Sequence, residues 1–188
     1  MKKSRADKTT AAGFRPDLFA IETKKAIEGK ELPPVHLWNP EFCGDIDMRI
    51  RRDGSWDYMG TPITRGRMVK LFSTILRRDD DDFFLVTPVE KVGIIVDDAP
   101  FTAVEMEHDG DHIIFRTNVD DYVKVDHDHP IRVSVDKKTG EPSPYVRVRD
   151  NLDALLSRSV YYELAELAVE KEGRYGISSG GCFFPLDG

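Results

Sequence analysis

From Phe83 to Arg149 the chain is written as short apolar runs set between turn formers, and no other feature narrows its fold as much. "FFLVTP", "KVGIIV", "FTAVEME", "HIIFRT", "YVKV", "IRVSV" and "PYVRVR" follow one another, parted by Asp, Gly or Pro. Runs this short, with this punctuation, predict consecutive strands in a meander or small barrel. A hairpin is predicted upstream as well. Ile46, Met48 and Ile50 alternate with Asp45, Asp47, Arg49 and Arg51, then Asp53-Gly54 turns the chain, and Trp56 and Tyr58 begin the return.

Helices are expected at three places. "PDLFAIETKKAIEG" opens with Pro16 and Asp17, carries Phe19, Ala26 and Ile27 as its apolar stripe, and stops at Gly29. "TPITRGRMVKLFSTILRR" has Thr64 as its N-cap and a stripe of Met68, Leu71, Phe72, Ile75 and Leu76. Arg77 and Arg78 then fall near its C-terminus, where positive charge is favoured. Leu152, Leu155, Leu156, Tyr162, Leu164 and Leu167 predict a long capping helix over 150–171, with Gly173 as its stop. The apolar stretch from Cys182 to Leu186 should pack as an extended strand. The class expected is therefore α+β, with a flexible tail at 1–14, an N-terminal α+β domain at 15–82 and a strand-rich C-terminal domain at 83–188.

Composition removes several functional classes. No apolar run approaches the ~20 residues of a membrane span, and "MKKSRADKTT" has no apolar region behind its charges, so no membrane association is expected. Two cysteines, Cys43 and Cys182, do not make a disulfide framework and point to a reducing cytoplasm. The net charge is −7, yet between Asp79 and Asp128 fifteen acidic residues meet only Lys91, Arg116 and Lys124. That acidic middle disfavours extended nucleic-acid binding, which needs a basic face across the domain.

Two windows look alike. "MRIRRDGSWDYMGTPITRGRMVKLFSTIL" and "IRVSVDKKTGEPSPYVRVRDNLDALLSRSVYYELA" each read as strand, Gly-bearing turn, return strand and amphipathic helix. The interval from Gly54 to Thr64 equals that from Gly140 to Asp150. Two related units could enclose a ligand cleft between them. Arg49 and Arg51 lie opposite Met48 and Ile50, and Arg147 and Arg149 lie opposite Val146 and Val148. Arginine's planar fork suits phosphate and carboxylate oxygens. These four, with Arg65 and Arg67, are the candidate site for an anionic small molecule or nucleotide, and Trp56 could stack on a ring. Against this, arginines at alternate strand positions commonly face solvent or are neutralised by nearby aspartates.

Other motifs carry less chemistry. "GISSG", residues 176–180, has the spacing of a nucleophile elbow, but neither a helix nor a His follows it, so it reads as a turn. In "DHDHP", His127 and His129 could share a metal, yet no third ligand stands at a recognisable spacing, and a turn before Pro130 is the competing reading. Cys43 with His36 cannot be read as a dyad from sequence separation, and the chain has neither a phosphate-binding Gly-Lys-Ser/Thr loop nor a dinucleotide fingerprint. No cofactor and no catalytic residue is assigned.

"GDIDMRIRRDGSWDYMGTPITR", "LFSTILRRD", "FFLVTPVEKVGIIVDDAPF" and "PYVRVRDNLDALLSRSVYYELAELA" together resemble the bacterial domain-of-unknown-function family twelve eighty-five, from about Pro34 onward. The resemblance implies a duplicated α+β core with a C-terminal half like pleckstrin-homology folds. It also implies a ligand site at the domain interface and a link to signal transduction, with no established activity. The expectation is a non-enzymatic ligand-binding or signalling protein. The alternatives are a protein-interaction module that docks a protein partner, or a metal-dependent hydrolase built on residues 126–129.

Overall fold

The computed structural model describes residues 13–27 and 32–188, without the side chains of 25–27. Residues 1–12 of the expected tail, and the expected helix stop Gly29, lie outside the described residues. Contacts divide the chain into two units, Met1–Asp97 and Asp98–Gly188. The boundary therefore falls after the sixth strand and not at 82/83. The reason is pairing: Asp82–Val86 and Lys91–Val96 hydrogen-bond back into the first sheet.

The first unit begins with α1 (Pro16–Ile27) and a short 3-10 turn (Val35–Leu37), followed by β1 (Phe42–Ile50), β2 (Trp56–Tyr58) and β3 (Thr61–Pro62). Helix α2 (Gly66–Thr74) then leads to β4 (Leu76–Asp79), β5 (Asp82–Val86) and β6 (Lys91–Val96). In the sheet the order is β3-β2-β1-β6-β5-β4, with β1 and β6 parallel and every other pair antiparallel. The alternation in β1 works as read: Ile46, Met48 and Ile50 are buried while Asp47 and Arg49 are exposed. Inside, Trp56 and Phe72 pack at 6.4 Å between ring centroids, and Phe19 of α1 meets Phe72 at 5.9 Å.

Helix α2 is shorter than its apolar period suggested. Its cap position is Arg65, not Thr64, and no side chain caps it. At its other end Leu76 pairs with Leu85 across β4 and β5, so Arg77 and Arg78 lie on a strand and not at a helix C-terminus. The acidic run at 79–82 is correspondingly a tight hairpin turn between β4 and β5, exposed at 80–82. Asp80 sits at φ +54°, and Asp79 takes Lys91 Nζ at 2.6 Å and Arg77 Nε at 2.9 Å. Burial works to raise the Asp79 carboxyl, but hydrogen bonds from Lys91 and Arg77 prevail and hold it below the usual carboxylate range.

The second unit holds β7 (Phe101–Asp109), β8 (His112–Thr117), β9 (Tyr122–Lys124), β10 (Ile131–Val135), β11 (Pro142–Arg149) and β12 (Leu152–Leu156). Helix α3 (Arg158–Glu166) follows, and then a small sheet of β13 (Val169–Lys171), β14 (Arg174–Ser179) and β15 (Cys182–Pro185). The expected helix over 150–171 is thus three elements. Leu152, Ala154 and Leu156 are almost fully buried in β12, which pairs with β11 on one side and β7 on the other. A short strand in a sheet centre buries both faces, and its apolar spacing then imitates a helix. Ser157 caps α3, its Oγ accepting from the Val160 N–H at 3.4 Å.

The large sheet of this unit runs β10-β11-β12-β7-β8-β9, with β12 and β7 parallel. Read from the other edge it is β9-β8-β7-β12-β11-β10, the same order as the first unit when strands are numbered from each unit's start. The duplication is therefore strand for strand, β1–β6 with β7–β12. In that correspondence β11, with Arg147 and Arg149, answers to β5 and not to the Arg-bearing β1. The α+β class holds, with a strand-rich C-terminal half that carries one helix in the manner of a pleckstrin-homology domain.

Candidate functional site

Each unit provides carboxylates for its arginines. On β1, Arg49 lies 3.3 Å from Asp97. Just beyond β1, Arg51 donates from Nε to Asp57 Oδ2 at 2.5 Å, and Asp57 itself is only 4% exposed on β2. The pairing crosses the Asp-Gly hairpin diagonally, and it raises the Arg51 guanidinium above its ordinary value through the hydrogen bond and charge of Asp57. Trp56 is 2% exposed, so its ring is part of the core and not of a surface. Its indole N–H is buried and meets no acceptor among the described residues.

The second unit assembles a larger cluster. Asp153, 7% exposed on β12, accepts from Arg147 Nε at 2.6 Å and from Arg132 Nη2 at 2.9 Å. Arg147 also donates to the Asp150 carbonyl at 2.8 Å, and Arg132 lies over the Tyr145 ring at 4.1 Å. Arg149 donates to Asp121 Oδ2 at 2.6 Å and covers the Phe101 ring at 4.8 Å. Arg132 is the member that sequence reasoning missed. It alternates with Ile131 and Val133 as Arg147 does with Val146 and Val148, and that was the available signal.

Arg65, one of the candidate arginines, borders a concavity. A hollow of about 370 Å³ lies where the start of α1 meets β2, β3 and the start of α2, lined by Pro16, Asp17, Tyr58, Thr61, Pro62, Ile63, Thr64, Arg65 and Met68. Its lining is mainly apolar. Arg65 Nη1 donates to Asp17 Oδ1 at 3.2 Å across the rim, with both side chains about 70% exposed or more. The uncapped first turn of α2 begins beside it, and Arg67 is exposed on that turn. A second hollow of about 270 Å³, on the other side of α1, is lined by Phe14, Arg15, Leu18, Phe19, Glu22, Cys43, Glu90 and Val92. Burial pushes the Glu90 carboxyl up, and the charge of Glu22 adds to this.

The remaining motifs resolve into structure. "GISSG" is the end of β14 and its turn. Ser179 is buried, donating to the Val125 carbonyl at 2.7 Å and accepting from the Ile113 N–H at 2.9 Å. Gly180 and Gly181 both have positive φ, which a two-residue turn of this hand requires. In "DHDHP", Asp126 Oδ1 accepts from the backbone of Asp128 and His129 at 2.9 Å and lies 3.0 Å from His129 Nδ1. His127 is exposed. No group of three or more His, Cys, Asp or Glu among the described residues is placed to hold a metal ion. Cys43 and Cys182 are free thiols, and the Cys43 thiol donates to the Glu41 carbonyl at 3.4 Å. No helix among the described residues is long and apolar enough to cross a membrane.

Two consecutive units of like strand order, each dressed differently, define a duplicated α+β protein. Family models match across that division. Residues 33–99 match the N-terminal domain of DUF1285, described as a domain of unknown function, and residues 100–186 match its C-terminal domain, described as a protein of unknown function. The chain belongs to the DUF1285 family. A crystal structure of a DUF1285 family protein from Silicibacter pomeroyi is 53% identical, with 89% of this chain and 93% of that one covered at a TM-score of 0.81. A second, from Shewanella baltica, is 30% identical, covers 63% of this chain and 90% of its own, and superposes at 0.52. No curated protein matches the chain.

Proposed function

We propose that this is a non-enzymatic, cytoplasmic ligand-binding protein whose ligand is a small anion held in the α1–β3–α2 hollow of the N-terminal unit. One observation carries the reading: Arg65 stands at the rim of a concavity, beside a helix start with no side-chain cap. Its present partner, Asp17, is an exposed carboxylate on α1 that a ligand's oxyanion can replace at little cost, because exposed ion pairs contribute only ~0–1 kcal/mol. The first-turn N–H groups of α2 would add to that head-group. Arg49, Arg51, Arg147 and Arg149 serve their own carboxylates, and two of those carboxylates are buried. A role in signalling would follow from occupancy of the hollow.

The test is a calorimetric titration of wild type, Arg65→Ala, Arg49→Ala and Arg147→Ala with acetate, inorganic phosphate and adenosine monophosphate. Saturable binding of at least one anion is expected, lost tenfold or more in Arg65→Ala and changed less than twofold in the other two. Absence of saturable binding by any of them overturns the reading.

A further inference from the structure

The composition of the same hollow says more about its ligand. Beyond Arg65, its walls come mainly from Pro16, Pro62, Ile63, Met68 and the Tyr58 ring, with Asp17, Thr61 and Thr64 as the polar members. The Tyr58 hydroxyl is already engaged, donating to the Phe14 carbonyl at 3.0 Å. One guanidinium thus borders a mainly apolar space, and Asp17 at the rim repels any second negative charge. A volume of about 370 Å³ is at the small end of the range for small-molecule sites, roughly 300–1,000 Å³.

We propose that the ligand is a small monoanion with an apolar body, of the alkyl or aryl carboxylate class, and not a nucleotide or sugar phosphate. The proposal rests on the anion-binding reading above. The carboxylate replaces Asp17 on Arg65, and the hydrocarbon lies against Pro62, Ile63 and Met68. A polyphosphate would bring several charges to a single arginine beside an aspartate.

A homologous series reads this directly. Acetate, butanoate, hexanoate and octanoate are titrated into wild type, alongside inorganic phosphate and adenosine triphosphate. Affinity should climb by up to about fourfold per methylene until the hollow is filled, the value expected for burying one such group. Met68→Ser should flatten the climb, Arg65→Ala should weaken every member at least tenfold, and Asp17→Asn should strengthen every member severalfold. The exposed positions of Arg65 and Asp17 keep these variants folded, which thermal melts would verify. Binding that ignores chain length, or that favours phosphate or adenosine triphosphate, overturns the ligand class while leaving the anion site standing. No binding by any of the six overturns both.

Discussion

The two units share a strand order and differ in how each handles the one aspartate buried in its large sheet. In the first, Asp57 is met by a single guanidinium, that of Arg51. In the second, Asp153 is met by two, from Arg132 and Arg147, on the two strands β10 and β11. The accessories differ as well. Helices α1 and α2 cover the first sheet, whereas the second is followed by α3 and by the small β13–β15 sheet. A strand order evidently sets where the chain goes, and leaves free how internal charge is compensated and what clothes the faces.

The largest expected effect tests that difference in compensation. Arg51→Ala takes from the buried Asp57 the guanidinium that hydrogen-bonds it, and should lower stability in urea unfolding more than any other single variant in this comparison. Arg132→Ala or Arg147→Ala leaves one guanidinium on Asp153, so each should cost only about 1 kcal/mol. The double variant should then exceed the sum of the singles, because only it strips the carboxylate of both partners. Equal effects from Arg51→Ala and either single variant would erase the contrast.

Next in size is the tie between the second unit's two sheets. Ser179 bridges β14 to the Ile113 N–H and the Val125 carbonyl. Ser179→Ala should destabilise by about 2 kcal/mol, since both groups lose a partner inside the protein. Amide exchange should speed at Ile113 before it speeds in β11 and β12. Uniform acceleration would mean that the small sheet is not separately held.

The smallest effect belongs to Glu90, just ahead of β6. Glu90 has its carboxyl raised by burial and by Glu22, so its ionised form opposes folding. A raised carboxyl binds protons more readily folded than unfolded, and stability therefore falls as pH rises through the ordinary glutamate range toward the raised folded value. Glu90→Gln should stabilise at pH 7 by less than about 1 kcal/mol, the group being only partly buried. The gain should disappear below the ordinary glutamate range. A loss of stability at pH 7 would show the charge to be compensated.

Much of the strand pattern was legible because turn formers delimit it. The expected runs "KVGIIV", "HIIFRT" and "IRVSV" coincide with β6, β8 and β10 residue for residue. Two strands were not legible, the edge strand β4 and the central strand β12. Leu76 beside Ile75 fits a helical stripe as well as the start of the edge strand β4, Leu152 with Leu155 and Leu156 fits one as well as a strand paired on both sides, and only pairing across the sheet decides. The arginines were legible as a polar face, and their partners were not. Asp57 and Asp153 sit one turn away from Arg51 and Arg147 in sequence, but which carboxylate a guanidinium reaches depends on the register. The hollow around Arg65 arises where four elements meet, and no local pattern announces such a meeting.

The central parallel pairs, β1 with β6 and β7 with β12, join the first strand of each large sheet to its last. Because those neighbours run parallel, the polypeptide enters each sheet at one end of its central pair and leaves at the other. A copied gene segment could be appended there without rethreading anything already built. Growth by tandem copying is the evolutionary freedom that this wiring confers.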